Sequence, residues 1–177
     1  MTKALEIIKQ NNLKNILDIG TGSGCIACTI ANKTNAVVLG VDISSDALRI
    51  ALDNVTRLGI NNKAVFRKSD LFTKIREDEK FDMIISNPPY IPVGTKLAPE
   101  LKHEPQIALF AEENGLQIYR KIVSEASKYL NDGGWLIFEL GVNEADAVKA
   151  FMNEYFCEVS IIKDLSGIER VICGRLL

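Results

Sequence analysis

The segment Asn87-Pro88-Pro89-Tyr90 directly follows 81–86, a short apolar run that predicts a buried strand. The Asn87 side-chain oxygen and the Pro88 carbonyl are two acceptors on a turn that the prolines stiffen. Such a pair can hold both hydrogens of a planar N–H₂ group while its nitrogen is methylated. Tyr90 offers a flat ring that can stack on the same group. We therefore predict Asn87, Pro88 and Tyr90 as catalytic residues and Asn87 to Tyr90 as substrate-binding residues. The alternative is a proline turn that only ends a strand.

A glycine turn upstream, from Asp18 to Gly24, has a spacing that suits a nucleoside cofactor. Gly20, Gly22 and Gly24 let the backbone turn sharply and approach a ligand closely. The dinucleotide fingerprint would need a glycine where Cys25 stands, and an acid beside the turn repels a pyrophosphate. A cofactor without a pyrophosphate, carrying a charged amino-acid tail, therefore fits this turn better than NAD.

Acidic residues follow three successive predicted strands, at the edge where open parallel sheets bind ligands. Asp42 is placed to accept from two ribose hydroxyls, and Asp70 from an exocyclic adenine amine with Leu71 against the base. Taken alone, each acid is more typical of a cap or a turn, but together they predict a cofactor site. The predicted cofactor-binding residues are Asp18, Gly20, Thr21, Gly22, Gly24, Asp42, Ile43, Asp70, Leu71 and Asn87.

Strand and helix patterns alternate along the chain, which predicts an α/β fold with a mostly parallel sheet between helices. Ser45 is the predicted cap of one helix, Gly59 is its end, and Leu52 is predicted on its apolar face. The last two strands have a short connection, so we expect antiparallel neighbours. The predicted strands are 16–19, 36–41, 64–67, 81–86, 135–140, 157–162 and 169–174, and the predicted helices are 25–31, 45–58, 116–130 and 144–155.

Composition limits the possible function classes. The chain has 177 residues, 47% apolar and 25% charged, which fits one globular domain. Its net charge of −2 argues against a nucleic-acid substrate. The apolar runs are strand-sized and the start is charged, so we expect no membrane association and a cytoplasmic location.

A cysteine pair and one long irregular stretch also bear on function. Cys25 and Cys28 form a C-x-x-C that could be redox-active or bind metal, but their place on a helix without a second ligand pair favours packing. We therefore expect no metal site. The irregular stretch 91–115, which carries His103 and Glu104, is long enough to be a substrate-facing lid. For these two side chains a structural role is the stronger expectation, and Glu139 could be structural or line the pocket.

The quoted motifs together resemble the class I S-adenosylmethionine-dependent methyltransferases. The downstream segments 103–109, 115–116, 119–120 and 133–134, with Glu139, are similar to the protein-(glutamine-N5) methyltransferases of the HemK/PrmC family. This resemblance implies a doubly wound, seven-stranded, Rossmann-like sheet with an antiparallel C-terminal strand. It also implies S-adenosyl-L-methionine as cofactor and the Gly-Gly-Gln glutamine of a peptide-chain release factor as substrate.

The domain prediction also follows from the resemblance. Residues 1–177 are expected to form one catalytic domain, with 1–14 as the remnant of a helix connecting to an N-terminal domain. Two other functions stay open at this point. One is methylation of an exocyclic amine of adenine or guanine in RNA or DNA, because a base amine presents the same flat N–H₂ group. The other is an inactive cofactor-binding scaffold.

Overall fold

A computed structural model of the chain describes residues 1–89, 91–92, 110–111 and 115–177. Helices and strands alternate through most of the described residues. The strands are β1 Asn15–Ile19, β2 Val37–Asp42, β3 Ala64–Lys68, β4 Phe81–Ser86, β5 Ile91–Pro92, β6 Phe110–Ala111, β7 Leu130–Glu139, β8 Phe156–Lys163 and β9 Glu169–Leu176. The helices are α1 Thr2–Gln10, α2 Cys25–Lys33, α3 Ser45–Leu58, α4 Leu116–Ala126 and α5 Ala145–Met152.

The main sheet has seven strands in the order β3-β2-β1-β4-β7-β9-β8. Neighbouring strands from β3 to β7 are parallel, and β9 is antiparallel to both β7 and β8. The predicted fold class and the antiparallel final pair are therefore confirmed. The order reverses between β1 and β4, and in open α/β sheets ligands bind at such a switch point, beyond the carboxyl ends of the strands.

Helices cover both faces of this sheet, which explains why its central strands are apolar throughout. On one face, α1, α2 and α3 bury Ile8, Ile30 and Val55 against strand residues such as Ile85. On the other face, α4 and α5 contribute to a second core. At the start of the chain, α1 is amphipathic and buries Ala4, Ile7 and Ile8. No helix among the described residues is long and apolar enough to cross a bilayer.

Three details of the prediction are wrong. The cap of α3 is Ser44, whose hydroxyl accepts from Ala47 N, and not Ser45. Leu52, assigned to the buried face of α3, is 52% exposed. The helix predicted over 116–130 ends at Ala126, and the Asn-Asp-Gly-Gly run lies inside β7. Pairing with β4 explains the last difference, because Phe81 pairs with Leu130 and its N–H donates to Tyr129 O at 2.8 Å.

Candidate active site

The glycine turn between β1 and α2 is an open backbone cradle. Gly20, Gly22 and Gly24 all have positive φ angles, of 69°, 56° and 81°. A Cβ placed at Gly20 or Gly22 would meet no atom within 4 Å, so the space above the turn is free for a ligand. At Gly24 the same Cβ would lie 3.1 Å from both the Ala51 Cβ and the Phe66 ring, so this glycine serves packing as well. The turn therefore has the conformation and the open space expected of a cofactor cradle.

Asp18 lies beneath this turn and is fully buried. Its Oδ2 accepts from Thr21 Oγ1 at 2.6 Å and from Ala27 N at 3.2 Å, which ties the strand end to the turn and to α2. Its Oδ1 has no hydrogen-bond partner among the described residues. Burial raises the pKa of Asp18 to about 7, against the two hydrogen bonds, which lower it. A buried carboxyl oxygen that lacks a partner among the described residues is uncommon in folded proteins, and it marks this strand end as a candidate functional position.

Asp42 ends β2 and joins the two neighbouring loops. Its Oδ2 accepts from Gly22 N at 2.8 Å, and its Oδ1 accepts from Ser44 N at 2.8 Å. An ionised carboxylate offers about four lone-pair positions, so each oxygen can accept a further bond. The backbone N–H groups thus fix the carboxylate while leaving capacity for two hydroxyls. Ile43, the next residue, is 46% exposed, which offers an apolar surface at the same edge.

The loop after β3 borders the site beside the end of β2. Ser69 is buried, and its hydroxyl donates to Leu71 O at 2.8 Å and accepts from Lys74 N at 3.0 Å. Asp70 is exposed, and together with Ile43 it borders an open depression at the sheet edge. Leu71 has a φ of 46° and packs partly against the main core. An acidic acceptor beside an apolar residue is suited to a base that carries an amine.

The turn after β4 carries the Asn-Pro-Pro motif. Asn87 is exposed, Pro88 is buried and Pro89 is half-buried. Ser86 Oγ donates to Ile19 O at 2.8 Å, which fixes this turn against the end of β1 and so against the glycine turn. The Asn87 side chain is therefore presented to solvent from a rigid base. Tyr90 and most of the predicted lid lie outside the described residues.

Three residues that hold the site were missed at the sequence level. Gly40 in β2 leaves room for its neighbours, since a Cβ there would lie 2.6 Å from the Phe66 ring and 2.8 Å from Thr21 Oγ1. Ser44 and Ser86 fix Asp42 and the Asn87 turn through the contacts described above. A glycine inside an apolar strand was a usable signal for close approach. Ser86 gave none, because its partner is a backbone carbonyl 67 positions away in the sequence.

The two cysteines after the turn behave differently from each other. Cys28 is buried in the core, as the packing interpretation predicts. Cys25 is exposed, and its sulfur lies 3.3 Å from Ser23 Oγ. The packing interpretation is therefore wrong for Cys25, because the first residue of α2 faces the solvent beside the turn.

These elements meet along the carboxyl edge of β3, β2, β1 and β4. Sheet pairing sets Asp42 beside the end of β1, and Ile19 beside Ser86. Along that edge lie two acids with spare acceptor positions, a turn open to a ligand tail, and an exposed amide. The residues present fit a nucleoside cofactor with a cationic amino-acid tail, placed next to a substrate held at Asn87.

Similarity to known proteins agrees with this geometry. A family model described as a methyltransferase domain matches residues 10–167. A release factor glutamine methyltransferase of Fusobacterium nucleatum is 40% identical, over 98% of this chain and 50% of that protein. One of Geobacter sulfurreducens is 42% identical, over 91% of this chain and 57% of that protein. The chain thus spans about half the length of these curated relatives.

Solved structures share the architecture at much lower sequence identity. A methyltransferase of Pyrococcus furiosus superimposes with a TM-score of 0.71 at 21% identity, over 98% of this chain and 81% of that chain. A ribosomal protein L11 methylase of Lactobacillus delbrueckii subsp. bulgaricus gives 0.70 at 20% identity, over 99% and 79%. At this identity the likeness concerns the fold, which is the class I methyltransferase fold.

Proposed function

The chain belongs to the methyltransferase-domain family, and from this premise we propose that it methylates a glutamine side-chain nitrogen in a protein. The proposed cofactor is S-adenosyl-L-methionine, and the proposed substrate is the Gly-Gly-Gln glutamine of a peptide-chain release factor. Such a substrate would place the reaction in the cytoplasm, where translation terminates. The proposed catalytic unit is residues 1–177 as a single domain, because α1 packs into the same core as the sheet.

One observation carries the proposal: Asn87 is exposed on a turn anchored to the glycine loop through Ser86. An amide nitrogen is a weak nucleophile because its lone pair is delocalised into the carbonyl. Asn87 Oδ1 and the Pro88 carbonyl can each accept one amide N–H and favour the charge that develops on nitrogen. The two prolines limit the reorganisation of the turn, so the acceptors are preorganised.

The cofactor would be held by the residues that line the rest of the edge. In this proposal Asp42 accepts from the ribose hydroxyls, Asp70 and Ile43 contact the base, and the glycine turn with Asp18 holds the amino-acid tail. When bound, S-adenosylmethionine supplies an electrophilic methyl group on a sulfonium, whose departure needs no covalent enzyme intermediate. The chain's own contribution is orientation, and a misplacement of ~1 Å can cost about 10²-fold in rate.

Two features support a protein amide over a base amine. The curated relatives quoted above carry the name release factor glutamine methyltransferase. The chain is also slightly acidic, with a net charge of −2, whereas nucleic-acid enzymes usually present a basic face.

The test is a methyl-transfer assay with radiolabelled S-adenosylmethionine. The substrates are a release factor, its Gly-Gly-Gln variant with alanine in place of glutamine, a ribosomal protein and an RNA. We expect label only in the intact release factor, and mass spectrometry should place one methyl group on the glutamine side chain. Label in the RNA alone would replace the proposed function with base methylation, and no label in any substrate would favour a scaffold.

A further inference from the structure

Glu139, the last residue of β7, reaches the same edge of the sheet as Asn87. Ser86 pairs with Phe138 in parallel register, so the next residue of each chain arrives at the edge together. Ile85 and Ile137 point into the core beneath α2. Because side chains alternate along a strand, Glu139, two residues beyond Ile137, is directed to that same face. The pairing thus sets a carboxylate beside the amide of the proposed active site.

The Glu139 side chain has no structural task within the described part of the chain. It is exposed, and no hydrogen bond or ion pair engages its carboxylate there. Its backbone, in contrast, is firmly held. The Tyr119 hydroxyl donates to the Glu139 carbonyl at 2.8 Å, and Tyr119 is fully buried against Phe138 with the rings edge to face.

The buried carboxyl group of Glu144 also helps to fix the backbone that follows β7. Glu144 is only 7% exposed, and its Oε2 accepts from Gly141 N at 2.8 Å. Burial raises the pKa of Glu144, while the hydrogen bond from Gly141 N–H acts in the opposite direction. Residues 139–144 are thereby tied to α4 and to the start of α5. A free carboxylate on a rigid anchor is the arrangement expected of a binding group rather than of a solvated surface residue.

The order of strands decides which ligand Glu139 faces. The glycine turn follows β1, Asn87 follows β4, and Glu139 ends β7, so Asn87 lies between the cofactor cradle and Glu139. In the proposed function the cofactor lies on the β1 side of Asn87, which leaves the β7 side to the substrate main chain. An ionised carboxylate accepts hydrogen bonds only, and a peptide segment flanking a target glutamine presents backbone N–H donors.

We propose that Glu139 binds the protein substrate by accepting hydrogen bonds from backbone N–H groups adjacent to the methylated glutamine. This assignment rests on the proposed function, and it makes Glu139 a specificity residue for a peptide. Tyr119 and Glu144 are positioning residues, because they act through the end of β7 and reach the substrate only through Glu139.

The experiment compares Glu139→Ala and Glu139→Gln with the full wild-type chain, using the release factor as substrate. Losing a charge-assisted hydrogen bond should raise KM for the release factor about tenfold or more in Glu139→Ala. Glu139→Gln keeps an acceptor oxygen and should show a smaller rise. In both variants kcat should stay within a few-fold, and the calorimetric affinity for S-adenosylmethionine should be unchanged. Glu154→Gln, an exposed glutamate just after α5, is the matched control and should match wild type.

The outcomes separate the two proposals. If the wild-type chain labels the release factor but both Glu139 variants keep the wild-type KM, the role of Glu139 is overturned and the proposed function stands. If the wild-type chain does not label the release factor, the proposed function fails, and the peptide role of Glu139 fails with it. A rise in KM accompanied by an equal loss of cofactor affinity would also overturn the assignment, because it would place Glu139 on the cofactor side.

Discussion

The two edges of the central sheet use polar side chains in opposite ways. At the amino edge, the Asp82 carboxylate accepts from Lys14 N at 2.7 Å, Asn15 N at 2.9 Å and Asn131 Nδ2 at 2.8 Å. At the carboxyl edge, Asp18 Oδ1 has no partner within the described part of the chain, and Asn87 is exposed. The first edge uses its polar groups to complete the fold, whereas the second keeps hydrogen-bonding capacity for a ligand.

The lysines of the amino edge also serve the fold. Lys9 and Lys33 lie in the last turns of α1 and α2, where a positive charge is favourable beside the unpaired carbonyls of a helix end. Lys63 Nζ donates to Thr34 O, at the end of α2, at 3.0 Å. This basic edge therefore stabilises helix termini. Unsatisfied polar groups therefore distinguish the proposed site from the amino edge, whereas the lysines do not mark a ligand site.

The largest effect on activity is expected from Asn87→Ala at the carboxyl edge. Removing one preorganised acceptor from the reacting nitrogen should lower kcat by about 10²- to 10³-fold, since transition-state contacts of this kind are worth that much. Affinity for S-adenosylmethionine should change little. Asn35→Ala, at the exposed amino edge, is the control and should retain full activity. Turnover of Asn87→Ala within a few-fold of wild type would refute the assigned role.

A second prediction concerns pH and Asp18. Its folded-state pKa, about 7, lies above its ordinary value of 3.8 because of burial. The folded state therefore binds the proton more tightly than the unfolded state, and the free energy of unfolding should fall as pH rises from about 4 to 7. The contribution is on the order of a few kcal/mol. Chemical denaturation across this range measures it, and Asp18→Asn should remove this part of the slope. An identical slope in the variant would contradict the prediction.

Asp42→Ala should test the cofactor side of the carboxyl edge. The variant loses the acceptors proposed for two ribose hydroxyls, and the Kd for S-adenosylmethionine should rise about tenfold or more. Isothermal titration calorimetry gives this value directly. Asp53→Ala, on the exposed surface of α3, is the control and should bind like wild type. Unchanged affinity in Asp42→Ala would remove the ribose assignment.

The smallest effect is expected at the amino edge, from Asp82→Ala. Three donors lose their acceptor, but they lie near water, so the free energy of unfolding should fall by about 1–2 kcal/mol. Cofactor affinity and kcat should remain those of wild type, because no ligand is expected at this edge. Thermal unfolding together with the methyl-transfer assay checks both statements. A selective loss of activity without a loss of stability would show that the two edges are not functionally separate.

Much of the fold was predictable because its signals are local. The glycine after α3, Gly59, ends that helix with a φ of 66°, as its position in the sequence predicts. β4 matches its predicted bounds, since a strand buried on both faces is apolar throughout. The end of α4 was not predictable, because pairing of Leu130 with β4 competes with helix propensity and depends on residues about fifty positions away.

For the candidate site, the sequence by itself determined which chemical groups stand after which strands: Asp18 with its glycines, Asp42, Asp70 and the Asn87 turn. Parallel pairing then obliges these groups to share one edge, whatever the details of packing. Only the tertiary structure decided how they are held. The orphaned Asp18 oxygen, the Ser86 anchor and the place of Glu139 beside Asn87 depend on burial and register between distant segments, which no local pattern encodes.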